Sequence, residues 1–276
     1  MTTPSDGPFD AGGTQEVPLA NAPLVRVLCQ VSWAEQTLLT TSFAKIADEV
    51  AIVLASEYPT RATQQTISLE IDPASGLPRP ATVPPNRQLI SADEVWAVHF
   101  TPVFVTLENR GAYTSRDDMI ARLERVLEAV QRSAQLTSAN RIGWRYLNRI
   151  SDPATYEELP RLVHDSVRGA GAIPVSGSIE LLHSMSDSLF NGPSGKLGAK
   201  WGFLPPNSTH DPNMPPIDLK CWVLDLDAFR DTRTPFEVAE LIAQVRELSS
   251  MAYDFFRWAV KDPFIERFGG HRDSHR

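Results

Sequence analysis

Cysteine is scarce, with two in 276 residues. Cys29 and Cys221 have no CxxC spacing, which speaks against a disulfide framework or a thiolate metal site. Both stand in apolar, strand-like runs, as buried reduced thiols do. No stretch approaches the roughly 18 to 20 consecutive apolar residues that span a bilayer, and the first residues lack a basic segment followed by an apolar one. The expectation is a cytoplasmic protein with no membrane contact. Neither GxxxxGK[ST] nor GxGxxG occurs between a strand and a helix, and HExxH and the EF-hand loop are missing. The standard devices for nucleotides and metals are therefore lacking, and no cofactor or metal is expected. Positive charge is short as well: 26 Lys and Arg against 34 Asp and Glu give a net charge of −8. That balance opposes nonspecific attraction to phosphate backbones and speaks against nucleic acid as a partner.

Apolar residues are plentiful, at 42% of the chain, enough to build a core. Residues 1–21 are rich in Thr, Pro, Gly, Ser, Asp and Ala without periodicity, and read as a disordered lead-in that folding does not need. Leu24 to Trp33 reads as a strand. A helix over 42–57 follows, with Ser42 as its N-cap and Pro59 beyond its end. Arg61 to Ile71 alternates as a half-exposed strand, and the proline-rich stretch 72–86 reads as a loop. Val95 to Glu108 reads as a strand with an edge or bulge at Pro102. Thr114 or Ser115 caps a helix over 115–135, with Asp117 and Asp118 in its first turn. The order to residue 150 is β-α-β-β-α-β, so residues 22–152 are expected to form a ferredoxin-like half. Residues 153–268 read as a second α+β half. It opens with a short helix over 156–168, continues with strands at 179–185, 196–203 and 219–228, and closes with a long helix opened by Thr234-Pro235. Asn191 to Gly195 reads as a hairpin turn, and 269–276 as a frayed end. The fold class is α+β, a ferredoxin-like first half followed by a smaller β-meander backed by a long C-terminal helix.

The most informative stretch is Arg141-Ile-Gly-Trp-Arg-Tyr-Leu-Asn-Arg-Ile150. Alternation along a strand puts Ile142, Trp144, Tyr146, Asn148 and Ile150 on one face and Arg141, Arg145 and Arg149 on the other. Three guanidinium groups in a row need carboxylates, a bound anion or open water, and Arg is shaped for bidentate recognition of carboxylate or phosphate. Asp225 and Asp227 lie two residues apart on a predicted strand and share a face with Cys221 and Val223. Paired carboxylates can hold a cation or split two pKa values, but the plainer account is that they neutralise the arginine face. His183 and His99 fall on strand faces beside apolar residues and read as satisfied, partly buried core histidines. Ser184 beside His183 lacks the glycines of a nucleophile elbow.

The decapeptide's order of Arg, Gly, apolar, Arg, Tyr, apolar and Asn resembles the central signature of a bacterial family of unknown function known as sporadically distributed proteins. Pro23-Leu-Val-Arg-Val-Leu-Cys-Gln-Val31 and Val223-Leu-Asp-Leu-Asp227, the latter followed by a long helix ending near Phe255-Phe256, resemble the same family in the same order. The resemblance covers residues 22 to 268. It implies a bacterial, intracellular accessory gene product and carries no activity or catalytic residue set. A sporadic distribution suits phage defence, toxin–antitoxin pairing or immunity. The expected function is non-enzymatic binding of a protein partner. The alternative is an enzyme or sensor for a small anion or phosphorylated ligand, using Arg141, Arg145, Asn148, Arg149, Asp225 and Asp227.

Overall fold

Strands with one apolar face and helices with one apolar stripe can bury both only against each other. The computed structural model, which describes residues 7–9, 16–64, 68–71, 78–81, 85–111 and 113–270, has that arrangement. The first part of the chain runs β1 (Leu24–Ser32), α1 (Thr37–Val53), β2 (Thr60–Gln64), β3 (Ser68–Ile71), β4 (Pro78–Ala81), β5 (Asn86–Ile90), β6 (Trp96–Phe100), β7 (Phe104–Asn109) and α2 (Arg116–Ala134). It continues through β8 (Ser138–Ala139), β9 (Arg141–Ile150), α3 (Pro153–Glu157), α4 (Leu159–Leu162), β10 (Ser184–Gly192), β11 (Gly195–Leu204), β12 (Cys221–Arg230), β13 (Thr234–Pro235), α5 (Val238–Ala259) and α6 (Asp262–Arg267).

Among the described residues, nine strands form one sheet in the order β10-β11-β12-β9-β1-β7-β6-β5-β2. Every neighbouring pair in it is antiparallel. The α+β class is therefore shown, but a ferredoxin-like half is not clearly visible. Helix α1 leads into β2 at the far edge of the sheet, and β12 hydrogen-bonds to β9, so strands from both halves of the chain share one sheet. The β10-β11-β12 meander of the second half extends this sheet.

The apolar stripes of α1, α2 and α5 meet the same face of the sheet, where Phe43, Leu123, Leu127, Val245 and Leu248 join Val27, Cys29, Trp144, Leu224 and Leu226 in one buried cluster. Each such side chain stabilises the fold by about 1.5–3 kcal/mol relative to exposure. Helix α2 starts where the sequence places it: the Ser115 hydroxyl accepts from the Asp118 N–H at 3.1 Å, and Asp117 and Asp118 occupy the first turn. Gly192 pairs with Gly195 across Pro193-Ser194, which confirms the hairpin. Both cysteines are buried free thiols.

Several boundaries differ from expectation. Helix α1 begins five residues early, and Ser42 marks a break inside it at φ −121°, not its start. The single strand expected over 95–108 is the hairpin of β6 and β7, because Pro102 lies in the turn between them. Strand 61–71 divides into β2 and β3, with 65–67 outside the described residues, and the proline-rich stretch contains β4, paired with β3. The helix over 156–168 is α3 and α4 followed by two tight turns. Thr234-Pro235 does not open the long helix but pairs as β13 with β8. Strand 179–185 begins only at Ser184, which leaves His183 exposed in the preceding loop.

The lead-in also differs. Residues 1–6 and 10–15 lie outside the described residues, but 16–21 are docked. The Val17 N–H donates to the Tyr253 hydroxyl at 2.7 Å, the Asn21 N–H donates to the Phe268 carbonyl at 3.0 Å, and Val17 and Leu19 pack on the core. At the other end Gly269 and Gly270 are tied back to α6 through the carbonyls of Glu266 and Ile265, and 271–276 lie outside the described residues.

Candidate functional site

The register places the arginine and aspartate faces together. Strands β9 and β12 are neighbours with Arg145 opposite Asp227, and the odd-numbered side chains of both point away from the helices. Arg145 Nε donates to Asp225 Oδ1 at 2.7 Å, and a second guanidinium nitrogen reaches Asp225 Oδ2. Asp211, from the loop between β11 and β12, lies 2.8 Å from the same guanidinium. His210 of that loop places Nε2 2.9 Å from Asp225 Oδ2. The side chains of Asp225 and Asp211 are only 4% and 7% exposed, and that of Arg145 22%. Arg141 pairs with Asp227 at 3.0 Å in a wetter setting, 32% and 37% exposed, and stacks over the Phe229 ring.

Burial alone would raise the Asp225 pKa, but hydrogen bonds from Arg145 and His210 and the Arg145 charge outweigh it, and the carboxyl titrates below its usual range. Burial likewise opposes ionisation of Asp211, and is overcome by hydrogen bonds from Asn213 and the field of Arg145. Arg145 is pushed up: desolvation is outweighed by Asp225 and Asp211. Asp227 goes the other way, because burial and the neighbouring Asp225 charge exceed the help from Arg141 and Arg145.

A second ion cluster stands on the same face, on β1, β7 and β6 beyond β9. Glu108 of β7 accepts from Arg26 Nε at 2.6 Å and from Arg110 Nε at 3.2 Å, and lies 2.9 Å from His99 Nε2. Burial would raise its pKa, but the His99 hydrogen bond and the charges of Arg26 and Arg110 leave it lowered. His99 is thus satisfied by a carboxylate on the polar face instead of sitting in the core. Between the clusters lies a groove of about 650 Å³, floored by Leu28, Gln30 and Gly143 and walled by Arg26, Glu108, Arg110, Arg141, Arg145 and Asp227, with Asp211 to Asn213 along its rim. A smaller hollow of about 300 Å³, shared with Lys200, Gly198 and His210, adjoins it. Arg26 ties the rim to the sheet by donating to the Asn213 carbonyl at 3.2 Å.

Of the six residues expected to act together, Arg141, Arg145, Asp225 and Asp227 do meet here. Asn148 does not: it lies on the helix side, where its amide donates to the Leu224 carbonyl at 3.3 Å, and it lines a small hollow of about 50 Å³ under the docked 16–19 segment. Arg149 lies outside the groove, without an ion pair among the described residues. It stands near Cys221, whose thiol is pushed up by burial against the pull of that arginine. Sequence reading missed Asp211, His210 and Glu108. Strand alternation gave a signal for Glu108, which shares its face with Thr106, but loop residues 210 and 211 have no periodicity to mark them.

Among the described residues no group of three or more His, Cys, Asp or Glu side chains is placed to hold a metal ion, and no helix is long and apolar enough to cross a membrane. No protein-family model matches the chain, and no curated protein matches it.

Proposed function

We propose that this chain is a binding protein that recognises a protein partner on the helix-free face of its sheet. The groove carries the reading: it is lined by strand and loop residues alone, and its four arginines are matched by Glu108, Asp211, Asp225 and Asp227. Interleaved charges of both signs complement a polypeptide surface, whereas a phosphate-bearing ligand would have to displace carboxylates already held by Arg141 and Arg145. Acid–base catalysis near neutrality calls for a group tuned toward pH 7. Asp225, Asp211 and Glu108 are tuned away from it, and Asp227, which burial raises, has its carboxylate held by Arg141 at 3.0 Å. The resemblance to the sporadically distributed bacterial proteins agrees with a cytoplasmic accessory role in defence, toxin–antitoxin pairing or immunity. The inner strand order β9-β1-β7-β6, with α1 and α2 as crossovers, supports reading those strands as a ferredoxin-like unit to which the other strands were added.

Affinity capture from the native host with wild type and with Gln30→Arg, which places a bulky charge on the groove floor, tests the reading. A discrete protein should be retained by wild type and lost by the variant. A thermal-shift titration with phosphate and sulfate is the counter-test. Stabilisation of wild type that disappears in Arg145→Ala would overturn the partner reading in favour of a small-anion site.

A further inference from the structure

We infer that the chain self-associates through the free edge of β10, two copies pairing antiparallel about Leu189. Strand β10 ends the sheet, and among the described residues no further strand pairs with its outer side. Edges of folded proteins are blunted by proline, lysine, bulges or brevity. This one is nine residues long in unbroken register with β11, contains no proline, and carries Asp187 as its one charged residue. Leu189, on the same face as Asp187 and Asn191, is 65% exposed.

Of the registers centred on Asp187, Ser188 and Leu189, the side chains favour the last. Centred on Leu189, the pairing sets Leu189 against Leu189 of the second copy, Asp187 against Asn191 and Ser188 against Phe190. Each apolar group meets an apolar or small one, and the carboxylate meets an amide. Centred on Asp187, it would set two carboxylates face to face, which destabilises a pair. Centred on Ser188, it would set Leu189 against Asp187 twice. The apolar side chains Ile179 and Leu182, also exposed, lie just before the strand. The contact is isologous and closes as a two-fold dimer.

Sedimentation of the full chain over a concentration series should show a monomer–dimer equilibrium in wild type. In Leu189→Lys, dimerisation should weaken at least tenfold while circular dichroism and melting temperature stay unchanged, because Leu189 supports no core contact. Directly opposed residues of antiparallel strands stand about 4.5–5.5 Å apart at Cα, within reach of a disulfide. Leu189→Cys should therefore oxidise to a covalent dimer, whereas Asn191→Cys, which faces Asp187, should not. A wild type that stays monomeric into the hundreds of micromolar, a dimer indifferent to Leu189→Lys, or equal cross-linking at 189 and 191 would overturn the inference.

Discussion

Arg145 holds two buried carboxylates at once, so removing it leaves both Asp225 and Asp211 without their cation. Arg145→Ala is expected to cost about 3–5 kcal/mol in urea unfolding, the range for orphaning buried charge. Arg141→Ala, which breaks a half-open pair, should cost under about 1 kcal/mol. If the two losses were equal, the different burial of the two pairs would not be governing their energetics. Asp225 titrates below its unfolded value, so its contribution is fully present above about pH 4 and is lost as pH falls through the lower folded value. The stability gap between wild type and Asp225→Asn should accordingly be wide at pH 7 and close toward pH 2 to 3; a gap constant across that window would contradict the assigned pairing. Asp227 has the opposite sign: its pKa is raised in the fold, so its ionisation opposes folding at neutral pH and that cost fades on acidification. The arginine and aspartate faces could be read from sequence because alternation is a local rule. Asp211 and His210 could not, because a loop residue's partner is decided by how the chain returns to the sheet.

At the scale of elements, periodic segments were the legible ones. Strand β9 spans the ten residues that its alternation marks, and α2 opens at the Ser115 cap. The segment before β1, which lacks periodicity, holds more structure than its composition shows. Residues 16–21 have a loop's composition yet pack Val17 and Leu19, half-buried, on the core and bond to Tyr253 and Phe268. Deleting residues 1–20 is therefore expected to lower the melting temperature by about 4–8 °C, equivalent to about 2 kcal/mol in a protein of this size. A change within a degree or two would show that the docked segment contributes nothing. The β10–β11 hairpin depends on Gly202, at φ +154°, where an added Cβ would come 1.9 Å from the Ser184 carbonyl oxygen. Gly202→Ala should cost about 2 kcal/mol or more and loosen that hairpin first, visible as faster amide exchange over 184–204 than over β1 and β9. Uniform exchange across all four strands would contradict that placement of the strain.

At the scale of the molecule, one sheet is shared by two functions of its surface. Its apolar face is consumed by α1, α2 and α5, and its other face keeps the Arg145 and Glu108 ion clusters around an open groove. Sequence patterns give each strand's two faces but not which strands are neighbours. The nine-strand order, the joining of both halves through β9 and β12, and the Glu108 cluster are consequences of long-range pairing that no local window contains. The central claim is that this open face is where a protein partner sits, and site-specific photo-cross-linking in the native host tests it most directly. A photoreactive residue at Gln30, on the groove floor, should give a covalent adduct of one discrete size, and the same residue at Glu49, on the exposed side of α1, should give none. Adducts at Glu49 with none at Gln30, or identical adducts from both positions, would contradict the claim.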